Sequence, residues 1–227
     1  MDRLADLTWE QASRRRVLLI PVGSTEQHGP HLPLSTDTDI AVAIARRGAR
    51  LLGESVVAPE VAYGSSGEHQ AFPGTLSIGR EATETLVVEL VRSASRSFRQ
   101  LVLVSTHGGN LEPLRRATDR LGAEGHELLL WSPPWHGDAH AGRLETSVML
   151  AIDPSRVTLE LAAAGNTAPL NQLLDQLRER GVADVSPNGV LGDPAGASAA
   201  EGERLLGLAA DDLARAVRER ECVASRS

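Results

Sequence analysis

The 227-residue sequence predicts an α/β fold, in which βαβ units form a largely parallel sheet covered by helices on both faces. Three observations predict it. Short apolar runs alternate along the chain with stretches of helical periodicity. The runs are continuously apolar rather than alternating, as strands buried on both faces must be. Hydrophobic residues make up 41% and charged residues 23%, which supports a sizeable core and argues against global disorder.

The elements follow in order. Val17–Val22 (VLLIPV) reads as a buried strand. Thr38–Leu52 reads as a helix, with Ile40, Ile44, Ala45 and Leu51 near helical spacing. Val56–Ala58 is a second short strand, stopped by Pro59. Glu81–Phe98 is a helix with Leu86, Leu90, Ala94 and Phe98 at steps of four. Leu101–Ser105 is a third strand, Leu111–Ala123 a helix and Glu127–Trp131 a fourth strand. Leu144–Ile152, Pro169–Arg180 and Ala199–Arg220 read as further helices, with no internal repeat and no linker. The Gly- and Pro-rich stretch Ser186–Ser198 is long enough to be read as a functional or interface loop. The last residues, Val223–Ser227, read as a frayed end.

Composition excludes several classes of function. The net charge is −7 and there is no basic block, which argues against a nucleic-acid partner. All 23 basic residues are arginine, so a Gly-Lys phosphate loop and a Schiff-base lysine are ruled out. Cys222 is the single cysteine, leaving no internal disulfide and no thiolate zinc site. The N-terminal segment carries Asp2 and lacks an apolar core, unlike a signal peptide, and Val17–Val22 is far too short to span a bilayer. A cytoplasmic protein without a membrane partner is the expectation. Any transition-metal site must draw on the seven histidines and thirty acids.

Ligands of open α/β sheets bind beyond the carboxyl ends of the strands, and histidines fall there. The 17 residues after the first strand, Gly23–Asp39, hold Glu26, His28, His31, Asp37 and Asp39. Glu26 and His28 stand two apart, so an extended loop aims both at one place. A mixed His/carboxylate set suits Zn, Mn or Fe. Thr36, Asp37 and Asp39 equally fit helix caps, with Asp37 at a turn before a helix starting near Thr38. His107 ends the third strand and is followed by Gly108, Gly109 and Asn110, a place where backbone can approach a bound group. Trp131–Glu145 holds Trp135, His136, Asp138, His140 and Glu145, the last equally suited to complement a helix N-terminus. Gly64–Thr75 adds Glu68 and His69 in a Gly-rich loop. Four loops that each offer histidine and carboxylate favour a metal site.

Glu26–Pro33 (EQHGPHLP), with Asp37 eleven residues after Glu26, resembles the opening motif of the creatininase family. His107–Asn110 is similar to the second motif, Glu68-His69 with Phe72–Thr75 to the third, and His140–Gly142 with Glu145–Ser147 to the fourth. The resemblance covers roughly residues 4 to 215. It implies one metal-dependent amidohydrolase domain over 1–227, a three-layer α/β/α sandwich, and a site for two divalent ions (Zn, Fe or Mn). By motif it implies Glu26, His28, Asp37 and His107 as ligands, with Asp37 the bridge. Some members carry an acid two residues after the second-motif histidine, where this chain has Gly109, so the remaining carboxylate is assigned to Glu145. The resemblance also implies a closed homo-oligomer, a hexamer or larger.

Within the family, Thr25–His28, Tyr63–His69, Ala164–Leu170 and Ser186–Asp193 resemble the mycofactocin-system branch. That branch cuts a modified precursor peptide near its C-terminus and releases a cross-linked Val-Tyr-derived piece. The implied substrate is therefore a peptide, cleaved by metal-activated water. His140 is assigned the proton shuttle, with Glu68 or His69 next in order. Trp135 would flank the substrate's aromatic ring, Asn110 would orient a ligand or the substrate carbonyl, and His31 would support the ligands. The alternatives are another amide hydrolase of the family, acting on creatinine or a formamide, and a non-catalytic metal-binding structural protein.

Overall fold

The computed structural model describes residues 3–224. Four strands form one parallel sheet in the order β2-β1-β3-β4, with β1 at Val17–Val22, β2 at Ser55–Val57, β3 at Gln100–Ser105 and β4 at Leu128–Trp131. Each strand lies within a residue or so of the run that predicts it. Helices α1 (Trp9–Ala12), α2 (Thr36–Leu51), α3 (Arg80–Ala94), α4 (Leu111–Ala123), α5 (Arg143–Ile152), α6 (Leu170–Arg180), α7 (Val182–Val185) and α8 (Ala199–Ala224) complete the order. The expected three layers are present, and α8 runs four residues past Arg220. Residues 225–227 of the end expected to fray lie outside the described residues.

Alternation along β1 and β3 divides the core in two. Val17 and Leu19, with Val102 and Val104, face Ile40 and Ile44 of α2, Val148 and Met149 of α5, and Leu206 and Leu213 of α8. Leu18 and Ile20, with Leu101 and Leu103, face Val87, Val88 and Val91 of α3 and Leu114 and Leu121 of α4. Each fully buried aliphatic side chain contributes about 1.5–3 kcal/mol through loss of water contact, so both helical layers are fastened to the sheet by its pleat.

Helix α3 corrects an expectation. The four-residue ladder of Leu86 and Leu90 lies at the surface, and the buried face is Thr83, Val87, Val88 and Val91. A residue every four positions drifts around a helix of 3.6 residues per turn, and the β-branched residues beside the ladder fill the sheet-facing stripe instead. The helix also ends at Ala94, before Phe98. Helix α2 starts two residues earlier than expected, at Thr36, whose Oγ1 donates to Pro33 O at 2.7 Å. Asp37 is thereby in the first helical turn rather than in the turn before it.

The topology creates the site. From β1 the chain crosses to β2 on one side, whereas β3 pairs with β1 on the other. The crevice at this reversal lies between the carboxyl ends of β1 and β3, which carry Gly23–Asp39 and Thr106–Asn110. The stretch 186–198 is folded back over the same end: Leu191 exchanges backbone bonds with His140, and Val190 is buried. Among the described residues, no helix is long and apolar enough to cross a membrane.

Candidate metal centre

Three tight contacts set the position of Asp37. A Cβ on Gly23 would lie 2.4 Å from Thr38 N, so the missing side chain lets the first turn of α2 press on the end of β1. Thr106 Oγ1 donates to Asp37 O at 2.7 Å, and Thr38 Oγ1 donates to Ser24 O at 2.8 Å. The Asp37 side chain, buried within that turn, accepts a hydrogen bond from Ser24 Oγ at 2.7 Å. It does not serve as the N-cap, which is Ser35.

Histidines surround it, and each ring is oriented by a backbone carbonyl. His28 Nδ1–H donates to Glu26 O at 3.1 Å, which turns Nε2 towards Asp37 Oδ1 (3.5 Å) and Glu145 Oε2 (3.9 Å). His107 Nε2–H donates to Ser65 O at 2.9 Å and leaves Nδ1 3.3 Å from Asp37 Oδ2. His140 Nε2–H donates to Gln27 O at 2.8 Å, with Nδ1 3.9 Å from Glu26 Oε1. Carbonyls accept only, so each neutral ring carries its proton on the nitrogen that faces the carbonyl and its lone pair on the nitrogen that faces the Asp37 or Glu26 carboxylate, although His107 Nε2 also stands 3.2 Å from Glu26 Oε2. Lone pairs facing carboxylate oxygens repel unless a proton or cation lies between them.

The donors fall into three groups whose ligand atoms lie within 4.8 Å of one another: Glu26, Asp37 and His107; His28, Asp37 and Glu145; Glu26, His28 and His140. The first two share Asp37 and together comprise the five ligands assigned from the motifs. The orphaned atoms point the same way. Both carboxylate oxygens of Glu26 face imidazole nitrogens only at ion-pair distance, His69 Nε2 at 3.3 Å and His107 Nε2 at 3.2 Å, and Nε2 of His28 is buried without a hydrogen-bond partner, a costly arrangement unless a cation satisfies them. This His/carboxylate set fits Zn, Mn or Fe.

With protons as the counter-charge, the same contacts dominate. Burial pushes the His28 imidazole down, but Asp37, Glu145 and Glu26 outweigh it and raise it to about 10. His107 is likewise raised, against burial, by Glu26 and Asp37. Burial raises the Glu26 carboxyl, yet His107 holds it at about 2. Asp37 is also held low, against burial, by His28 and His107. Glu145 is raised to about 7, chiefly by burial. Burial together with neighbouring His28 and His69 keeps His140 neutral.

Position 109 has no room for a side chain. A Cβ at 109 would stand 2.2 Å from Ser65 O and 2.5 Å from His107 Nε2. Glu145 instead reaches in from α5 and stands beside His28 and Asp37. Its Oε2 also accepts from Ala141 N at 2.5 Å, where Ala141 adopts a left-handed φ of 53°.

The remaining assigned residues are distributed around this centre. A cavity of about 460 Å³ opens on His107 and Glu145 and is walled by Trp135, Leu111, Leu144 and Leu170. Trp135 also packs against the core cluster under α5 and α8. His31 is buried, with Nε2 2.9 Å from Thr146 Oγ1, next to Glu145 in sequence. Asn110 bonds to backbone at both ends of its amide: its Oδ1 accepts from Ser65 N at 2.9 Å and its Nδ2 donates to Gly23 O at 2.8 Å. It ties the loops at Gly23 and Ser65 together. His69 lies 3.3 Å from Glu26 Oε1. Glu68 rests against Gly109, outside the cavity lining, with its carboxyl raised by burial. His136 and Asp138 are exposed. Ser24 and Gln27 were not singled out from the sequence, although both stand in the first loop. A lone hydroxyl or amide carries no spacing signal there.

The chain matches the family described as creatininase, creatinine amidohydrolase, over residues 5–217. The chain belongs to the creatininase family. It is 53% identical over 205 residues to the mycofactocin precursor peptide peptidase of Mycobacterium ulcerans (strain Agy99), covering 86% of this chain and 82% of that protein. It is 53% identical over 198 residues to the protein of the same name from Mycolicibacterium smegmatis (strain ATCC 700084 / mc(2)155), covering 84% and 79%. A solved mutant creatininase of Zn-Zn type superposes with a TM-score of 0.82 at 27% identity, covering 96% of this chain and 97% of that one. Creatininase-family structures thus hold metal, and this member carries a donor set fit for it. As a member of the family, the chain is a hydrolase acting on amide bonds.

Proposed function

We propose that this creatininase-family hydrolase is a peptidase that cuts the modified mycofactocin precursor peptide near its C-terminus, releasing the cross-linked Val-Tyr-derived piece. One observation carries the reading. The donor groups sharing Asp37 open on a cavity of about 460 Å³ with an aromatic and aliphatic wall, roomy enough for a peptide end rather than closed around a small ring. The peptidase relatives at 53% identity supply the substrate class.

Glu26, Asp37 and His107 would hold one divalent cation, and His28, Asp37 and Glu145 a second, with Asp37 shared. Bound there, zinc, iron or manganese would supply Lewis acidity, polarising the scissile carbonyl and bringing the pKa of water towards about 7. The chain's own residues do the rest. His140, its Nε2–H tied to Gln27 O and its Nδ1 turned inward, carries a proton to the leaving amine. Trp135 stacks against the Tyr-derived ring, and Leu111 and Leu144 keep water from the reacting bond. The same reading makes the enzyme a cytoplasmic homo-oligomer, hexameric or larger, as in the family.

The test is incubation of the modified precursor peptide with the chain under defined divalent metals, followed by mass spectrometry. The reading expects the C-terminal fragment to appear with the wild type and to vanish with His28→Ala. Intact precursor under every metal, or turnover of creatinine with the peptide untouched, would refute it.

A further inference from the structure

Gln27 lies between Glu26 and His28, and its side chain reaches into a junction of four segments. Its Oε1 accepts from Gly29 N at 2.9 Å, which fixes the orientation of the amide. The NH₂ group therefore faces His69 Nδ1 at 2.8 Å, Gly189 O at 3.1 Å and His140 Nε2 at 3.2 Å. All four residues that it joins are buried or nearly so, with Gln27 itself 5% exposed, so these bonds form without competition from water.

Counting donors and acceptors leaves one consistent arrangement. His140 Nε2 is 2.8 Å from the backbone carbonyl of Gln27. Two lone pairs cannot share that distance, so this nitrogen carries the proton and cannot also accept from the Gln27 amide. The two amide hydrogens then go to Gly189 O and to His69 Nδ1. His69 Nδ1 must be the bare nitrogen, and its proton sits on Nε2, which lies 3.3 Å from Glu26 Oε1.

We infer that Gln27 is a positioning residue that fixes the tautomer of His69. This inference rests on the metal centre proposed above and deepens it. His69 is thereby made a donor towards Glu26 and is kept from acting as a further cation ligand or as the shuttle. The tautomer of His140, by contrast, is set by a backbone carbonyl and does not depend on the side chain at 27. That difference gives an internal control within one spectrum.

The experiment is ¹H–¹⁵N correlation spectroscopy of the histidine ring nitrogens in the full chain, first after chelation and then with added zinc. In the wild type, His69 and His140 should both show a protonated Nε2. In Gln27→Glu the side chain can only accept, so His69 should move its proton to Nδ1 while His140 is unchanged. Gln27→Met, which removes the donor without adding charge, should leave His69 with a mixture of tautomers and again spare His140. Should the Glu variant not fold, the Met variant makes the same test. A wild-type His69 protonated on Nδ1, or a His69 spectrum unmoved by either substitution, overturns the inference. Neither result bears on whether the peptide is cleaved, so the two readings fail separately.

Discussion

Gly109 and Glu145 show at the scale of single residues how closely the centre is built. Any side chain at 109 collides with Ser65 O and His107 Nε2, and Glu145 of α5 is the carboxylate that stands beside His28. Gly109→Ala should destabilise the chain by about 1–3 kcal/mol, the usual range for overpacking, read by chemical denaturation. An unchanged midpoint would mean that the loop at Ser65 yields freely. The protons on His28 and His107 give a second prediction. His28 is raised to about 10 and His107 is raised as well, so near neutral pH both rings are protonated when no cation competes. A cation must displace those protons, because a ligating imidazole is neutral. Metal affinity should therefore increase as pH rises from 6 to 8, and calorimetry in buffers of different ionisation enthalpy should register proton release. Affinity that is flat with pH would contradict this assignment of the counter-charge.

Much of the site was legible at this scale because Glu26 and His28 alternate on an extended loop and His107 terminates a strand. Gln27 was not, since an amide between two ligands has no periodicity to mark it. The neighbourhood of glycines around Asn110 suggests a ligand, and what the spacing does not reveal is that both ends of its amide lock Gly23 and Ser65 together.

The elements show a similar division. β1 and β3 were readable because burial on both faces demands an unbroken apolar run, and both strands are buried nearly throughout. The face of α3 was not. Its leucines suggest the buried stripe, but Val87, Val88 and Val91 take it, and only the packing against Leu18 and Ile20 distinguishes the two. α8 is the long clasp of the opposite layer, where Leu213 packs closely over Gly48 of α2 and is fully buried. Leu213→Ala should cost about 2–5 kcal/mol, as large-to-small core substitutions do, measured by denaturant titration. A loss under about 1 kcal/mol would mean that α8 can re-seat on α2 and that the clasp is loose.

Over the whole molecule, the order β2-β1-β3-β4 is what gathers candidate donors from residues 26 to 145. The reversal between β1 and β3 opens the crevice, α2 brings Asp37 to its floor and α5 brings Glu145 from the far side. The family resemblance implies Asp37 as the bridge, but residue spacing alone does not show it in both donor groups, because that depends on where α2 begins and on the absence of a side chain at Gly23. The sharing of Asp37 is the central claim, and metal stoichiometry tests it most directly. Elemental analysis of the purified chain, saturated with zinc and freed of excess, should give two ions per chain for the wild type and fewer than one for Asp37→Asn. One ion in the wild type, or two retained by Asp37→Asn, would contradict it.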